Sequence, residues 1–153
     1  MSTDQISQQG LVKFLLVEDD DDHAVIISRV LTKSRILNKL DRLTDGASVI
    51  EYLMRKGIYS HADRPDIILL DLKLPKKDGL EVLAEVKSYP DLRSIPIVVL
   101  TTSSAEIDKM KAYENYANSY LLKPLEPEKF RQLVQDLNLY WGIFNQTPQK
   151  KQA

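Results

Sequence analysis

The sequence predicts a doubly wound α/β fold: five parallel strands in the order 2-1-3-4-5, with helices on both faces. Three observations carry that expectation. Ile67 to Leu70 is an unbroken apolar run, which is how a strand covered on both faces reads. Short apolar runs alternate along the chain with segments whose apolar residues recur at helical spacing. Acidic, hydroxyl or basic side chains stand at the C-terminal ends of those runs, where open parallel sheets place their chemistry.

A chain of 153 residues fits one domain and can bury a real core. A formal charge of −1 gives no global basic field, so nucleic acid is not an expected partner. The absence of cysteine removes disulfides, thiolate metal sites and cysteine nucleophiles together. No apolar run approaches a membrane span, and the polar start lacks the apolar centre of a signal peptide. The expected location is the cytoplasm. Residues 1–10 are expected to be a disordered lead-in, 11–145 the domain and 146–153 a polar tail.

The elements follow in order. Lys13 to Val17 is the first strand, followed at once by Glu18, Asp19, Asp20, Asp21 and Asp22. Ala24, Ile27, Val30 and Leu31 mark the first helix. Asp20 to Asp22 suit its first turn, where acids favour the helix dipole. Lys39 to Leu43 is the second strand, and Thr44-Asp45-Gly46 turns it into a helix carrying Ala47, Ile50, Leu53 and Met54. A polar loop from Gly57 to Arg64 leads to the central strand. After Pro75 and the Asp78-Gly79 turn, Leu80, Leu83 and Ala84 mark a third helix, which Pro90 ends. Ile95 to Leu100 is the fourth strand. Ser103 and Glu106 form a capping box for a fourth helix, which is weakly amphipathic beyond Ile107, Met110 and Tyr113. A weakly packed helix is a natural mobile element. Ser119 to Leu122 is the fifth strand. Pro127 opens a last helix whose stripe runs Phe130, Leu133, Val134, Leu137, Trp141 and Phe144.

The strand ends supply a coherent chemistry. Strand one gives Glu18 and Asp19, strand three Asp71, strand four Thr101 and strand five Lys123. In a 2-1-3-4-5 sheet the switch point lies between strands one and three, so the three carboxylates meet there. Crowded carboxylates raise each other's pKa, and a hard divalent cation resolves the conflict. Mg²⁺ prefers oxygen ligands and takes one or two carboxylates plus a phosphate. Thr101 offers a hydroxyl, and Lys123 a point charge for a phosphate oxygen. Together these form a phosphoryl-transfer site. Its nucleophile is a carboxylate, best supplied by Asp71 on the most buried strand.

With Glu18-Asp19, Asp71 followed by Leu-Lys-Leu-Pro-Lys-Lys-Asp-Gly, Thr101 and Lys123-Pro124 in place, the chain resembles a response-regulator receiver domain of two-component signalling. The likeness covers about residues 11 to 140 and implies the flavodoxin-like fold of the chemotaxis receiver. It implies a phosphoacceptor signalling protein rather than an enzyme, limited to self-catalysed phosphotransfer and autodephosphorylation. A histidine kinase would phosphorylate Asp71. Asp19 and Asp71, with the carbonyl of Lys73, would bind Mg²⁺, and Glu18 would help through water. Thr101 and Lys123 would hold the phosphoryl group, Tyr120 would be an aromatic switch, and the Lys123-Pro124 bond would be cis. Lys73 stands where many receivers have Asn, and Thr102 is bulkier than the usual small residue. Arg64 to Lys87, Ile95 to Ser103 and Tyr140-Trp141 resemble stand-alone receivers that serve phytochrome-type histidine kinases. With no output domain attached, signalling would run through a protein contact or a phosphorelay, from the face built by the fourth helix, fifth strand and fifth helix.

Three rivals share parts of this pattern. An aspartyl phosphohydrolase needs a second Asp two residues after the nucleophile, where Lys73 stands. A flavodoxin-like redox carrier needs a hydroxyl- and Gly-rich loop after strand one, where five acids stand. A pseudo-receiver that only binds partners would not need the intact acid, Thr and Lys set. His23 and His61 have no ligand spacing and are expected at the surface. Trp141, Ile143 and Phe144 prolong the last stripe beyond what one sheet covers, which predicts a homodimer through the C-terminal helix region.

Overall fold

The computed structural model describes residues 11–34, 36–105, 107 and 119–136. The strands are β1 (Val12–Val17), β2 (Asn38–Leu43), β3 (Ile67–Asp71), β4 (Ile97–Thr101) and β5 (Ser119–Leu122). The helices are α1 (Asp21–Lys33), α2 (Ser48–Leu53) and α3 (Gly79–Ser88). A helix α4 includes residues 104, 105 and 107, and α5 includes residues 127–136. All four strand pairings are parallel, and the sheet order is β2-β1-β3-β4-β5, as expected.

The period of two along the strands sorts the core into two layers. Leu15, Val17, Ile68, Leu70, Ile97 and Val99 face one way and pack on Val49 and Tyr52 of α2 and on Val82, Leu83 and Val86 of α3. Phe14, Leu16, Ile67, Leu69, Val98 and Leu100 face the other way. They meet Ala24, Ile27, Val30 and Leu31 of α1 and Phe130 and Val134 of α5. β3 and β4 are buried at every residue, which is why their sequences show no polar alternation.

α1 starts as its acids suggested. Asp20 is the N-cap, its side chain accepting the His23 N–H at 3.1 Å, and Asp21 and Asp22 lie in the first turn. Apart from one-residue extensions of β1 to β4, three boundaries or faces differ from expectation. β4 begins at Ile97, because Ile95 closes a turn onto Leu92 and Pro96 has no N–H for the ladder; its carbonyl accepts from Ile68 instead. In α2 the inward residues are Val49 and Tyr52, while Ala47 is exposed at the N-cap; Ile50, Leu53 and Met54 are only partly buried. In α3 the fully inward residues are Val82, Leu83 and Val86, with Leu80 and Ala84 at the margin. Both helices follow loops whose exit angle sets the helix phase, which apolar spacing alone leaves open.

The lead-in, Glu106, Met110, Tyr113, Leu137, Tyr140, Trp141, Ile143, Phe144 and the tail lie outside the described residues. So do the expected capping box, the weak amphipathicity of α4 and the end of the α5 stripe. No helix among the described residues is long and apolar enough to cross a membrane.

Candidate functional site

β1, β3 and β4 end one residue apart in register, Val17 beside Leu70 and Asp71 beside Leu100, so their terminal side chains crowd at one rim of the sheet. The crossover reverses between β1 and β3, and the crevice opens there. Glu18 and Asp19 follow β1, Asp71 ends β3 and Thr101 ends β4. Lys123 follows β5, tied to the rim by its N–H donating to the Thr101 carbonyl at 2.7 Å, and its bond to Pro124 is cis. One carboxylate oxygen from each of Glu18, Asp19 and Asp71 lies within 4.8 Å of the others. The crevice, about 230 Å³, is lined by Asp19, Asp20, His23, Asp71, Lys73, Thr101, Thr102 and Lys123.

Burial within this group is uneven. Glu18 is fully buried, Asp71 and Thr101 nearly so, and Asp19 is exposed. Lys123 lies among them, its Nζ 2.5 Å from Glu18 Oε1, 3.0 Å from His23 Nδ1 and 3.6 Å from Asp71 Oδ2. Burial, then a hydrogen bond shared with Glu18, pushes the Asp71 carboxyl up to about 7, against the pull of the Lys123 ammonium. Burial alone would raise Glu18 too, but hydrogen bonds from Asp71 and Lys123 outweigh it and hold that carboxyl below its usual range. Within the pair it is thus Asp71 whose carboxyl is raised and Glu18 whose carboxyl is lowered. Thr101 Oγ1 accepts the Ser103 N–H at 3.2 Å, joining β4 to the start of α4.

The donor set suits a hard divalent cation: it consists of oxygens only, one from each of three carboxylates within 4.8 Å of one another. Such an ion would relieve their repulsion. Residues 14–135 match the response regulator receiver domain. The chain belongs to that family.

Two relatives are similar over most of their length. One is the response regulator Rcp1 of Synechocystis, 45% identical over 127 residues, covering 83% of this chain and 86% of that protein. The other is the probable methanogenesis regulatory protein FilR2 of Methanothrix harundinacea, 39% identical over 148 residues, covering 96% and 94%. Among solved structures, the Mn²⁺-bound form of Rcp1 has a TM-score of 0.68 at 44% identity, covering 85% of this chain and 94% of that chain. The phosphorylated cyanobacterial phytochrome response regulator RcpA has a TM-score of 0.70 at 42% identity, covering 85% and 93%.

Of the residues the sequence singled out, this receiver brings Glu18, Asp19, Asp71, Lys73, Thr101 and Lys123 to one crevice rim. Tyr120 sits apart from that rim, half-buried on β5 and packed against the layer under α2 and α3. His61 is exposed, as expected. His23 is not a plain surface residue. It is half-buried and lines the crevice against Lys123, because the first turn of α1 overhangs the strand ends. Its place was legible in principle: it stands three residues after the N-cap, on the turn that must cover the switch point. Arg42, which no sequence motif marks, reaches from β2 to the carbonyl of Glu18.

Proposed function

We propose that this receiver accepts a phosphoryl group on Asp71 from a histidine kinase, with Mg²⁺ held at Asp19, Asp71 and the carbonyl of Lys73. The observation that carries this reading is the meeting of Asp71, Glu18 and Lys123 within hydrogen-bond or ion-pair range at the end of the central strand. The cation would supply charge neutralisation between the acids and the incoming phosphoryl oxygens. The chain's own residues do the rest. Asp71 would supply the carboxylate oxygen that bonds to phosphorus as the bond from phosphorus to the donor histidine nitrogen breaks. Glu18, engaged by Lys123 at 2.5 Å, would help to position the cation. Thr101 and Lys123 hold the transferred group, and Thr102 and Lys73 border its access.

The phosphoacceptor role makes the protein a signalling component, with catalysis confined to its own phosphorylation and hydrolysis. Its likeness to Rcp1 and RcpA supports a phytochrome-type kinase as the donor. Exposed Ile26 lines an apolar pocket that shares His23, Thr102 and Lys123 with the crevice, which supports a protein donor rather than a small one alone. Phosphorylation would be read out through Thr101 and Tyr120 at the face of α4, β5 and α5. We infer that this face also pairs two copies, supported by the exposed Leu122 on the edge strand β5 and by the aromatics of the C-terminal stripe.

Incubation with acetyl phosphate and Mg²⁺, followed by mass mapping, tests the assignment. Wild type should gain one phosphate on Asp71, and Asp71→Asn none. Equal labelling of both would sink it. Profiling against purified histidine kinases then tests the donor, and sedimentation at tens of micromolar tests the pairing. A monomer in both phosphorylation states defeats the dimer.

A further inference from the structure

We propose that Arg42 is a positioning residue for the turn that carries the acidic ligands, an inference that rests on the reading of the site as Mg²⁺-dependent. The turn between β1 and α1 has few anchors of its own. The last ladder bond of β2 goes from the Glu18 N–H to the Leu43 carbonyl at 3.0 Å, and there β2 ends. The Glu18 carbonyl, one residue beyond β1, then takes a hydrogen bond from Arg42 Nε at 2.9 Å. Leu43 and Arg42 together therefore hold both backbone groups of Glu18 on β2. Arg42 Nη1 also lies 2.9 Å from Asp21 Oδ1, at the first residue of α1.

One guanidinium thus grips both ends of a four-residue turn, Glu18 to Asp21. Between the grips stands Asp19, the exposed carboxylate that lines the crevice. The third donor, Nη2, is buried and meets no acceptor among the described residues. Buried unmet donors are costly, so full satisfaction of this side chain does not account for an arginine here; its fork does. A lysine offers the same charge, but its donors radiate from one flexible ammonium and cannot reproduce the fixed spacing of Nε and Nη1. Geometry and charge predict opposite effects. As a nearby cation Arg42 repels Mg²⁺, so a purely electrostatic role means tighter Mg²⁺ binding once it is removed. A positioning role means weaker binding, because Asp19 is no longer held toward Asp71.

The test titrates Mg²⁺ into wild type, Arg42→Lys, Arg42→Met and Asp21→Asn by calorimetry, at a temperature where each is folded. Amide exchange of residues 19–24 is followed alongside. Both Arg42 variants should bind Mg²⁺ more weakly by on the order of 10-fold, the range seen when groups behind metal ligands are removed. Their turn should exchange faster while β4 and α3 are unchanged. Asp21→Asn, which weakens one grip to an uncharged hydrogen bond, should fall between and remains informative if the Arg42 variants fold poorly. Unchanged or tighter Mg²⁺ binding in these variants overturns the proposal. If wild type itself binds no Mg²⁺, the reading of the site is what fails, and equal turn exchange in all four proteins then defeats the clamp.

Discussion

Lys123 gives its shorter carboxylate contact to Glu18, at 2.5 Å, and stands 3.6 Å from Asp71. The resting ammonium is thus bound by the fully buried acid, with His23 Nδ1 as a further contact at 3.0 Å. A phosphoryl group on Asp71 would offer a denser negative charge about one ångström-scale step away. Lys123 is placed to follow it without leaving the crevice, and Glu18 would then turn from partner of Lys123 to partner of the cation shell.

Removing that ammonium should therefore cost stability before it costs chemistry. Lys123→Ala leaves Glu18 buried without its cation, a loss of about 3 kcal/mol for a broken buried pair. Urea unfolding at pH 8 should show it, and the deficit should shrink at pH 5, where the acids can take up protons. The variant should still accept phosphate from acetyl phosphate. The amide of Ser103, whose N–H is tied to Thr101 Oγ1 at 3.2 Å, should respond to phosphorylation in wild type and much less in the variant. A wild-type-like response would break the proposed link between Lys123 and Thr101.

The raised Asp71 carboxyl sets a pH dependence with a definite sign. Its ordinary value is 3.8, and burial and Glu18 bring it to about 7 in the fold. Folded protein then holds a proton that the unfolded chain releases, so stability falls as pH rises from about 4 to about 7. Glu18, shifted down, contributes the opposite slope, lost as pH falls below its ordinary 4.5. Metal-free wild type should lose melting temperature between pH 4.5 and 7 relative to Asp71→Asn, which lacks the titrating group. Mg²⁺ should remove that difference, since it replaces the proton. Parallel curves for the two proteins would show that Asp71 does not titrate there.

A third prediction concerns the fold away from the site. α2 ends in two interlocking bonds, Arg55 N–H to the Tyr52 carbonyl at 3.1 Å and Lys56 N–H to the Glu51 carbonyl at 2.9 Å. That pattern needs a left-handed residue after the cap, and Arg55 supplies it with φ of 56°. Glycine adopts this conformation without a Cβ clash. Arg55→Gly should therefore stabilise the protein by roughly 0.5–1 kcal/mol and leave labelling of Asp71 unchanged. Chemical denaturation decides it; a loss of stability would mean that the Arg55 side chain contributes more than its backbone costs.

The sequence reveals the strands more readily than the helix faces. Ile67 to Leu70 and Ile97 to Leu100 admit one reading because burial on both sides leaves no polar position. The strand ends then place Glu18, Asp71 and Thr101 by topology alone. α2 resists the same treatment: Ile50, Leu53 and Met54 are apolar, yet Val49 and Tyr52 face inward. A six-residue helix has too few turns for spacing to fix its rotation, and its exit from the Asp45-Gly46 turn does so instead. His23 and Arg42 were hidden for another reason. Each is an ordinary residue on an ordinary element, and its importance lies in what stands across from it: Lys123 100 residues away, and Glu18 24 residues away. The N-cap places His23 over the strand ends, but no local pattern encodes either pairing.

Gly79 is where the loop after Asp71 presses hardest on the strand that carries it. Its N–H donates to the Leu72 carbonyl at 2.8 Å, and Asp78 caps α3 immediately before it. A Cβ at this position would lie 2.5 Å from the Asp71 carbonyl oxygen and 2.7 Å from the Leu72 Cα. Both are backbone atoms at the strand's end, so neither can swing aside as a flexible side chain would. Gly79→Ala must push α3 away from β3 or displace Asp71 itself, an overpacking loss of about 1–3 kcal/mol. The position of Asp71 is the feature on which phosphoryl transfer depends, and a misplacement of an ångström can lower a rate about 100-fold. The variant should therefore be less stable and also label more slowly with acetyl phosphate at a temperature where it is fully folded. Slow labelling with near-normal stability would mean that the strand end gave way. Normal labelling with lowered stability would mean that α3 moved instead. Wild-type values for both would show that the contact between Gly79 and the Asp71 backbone is looser than these distances require.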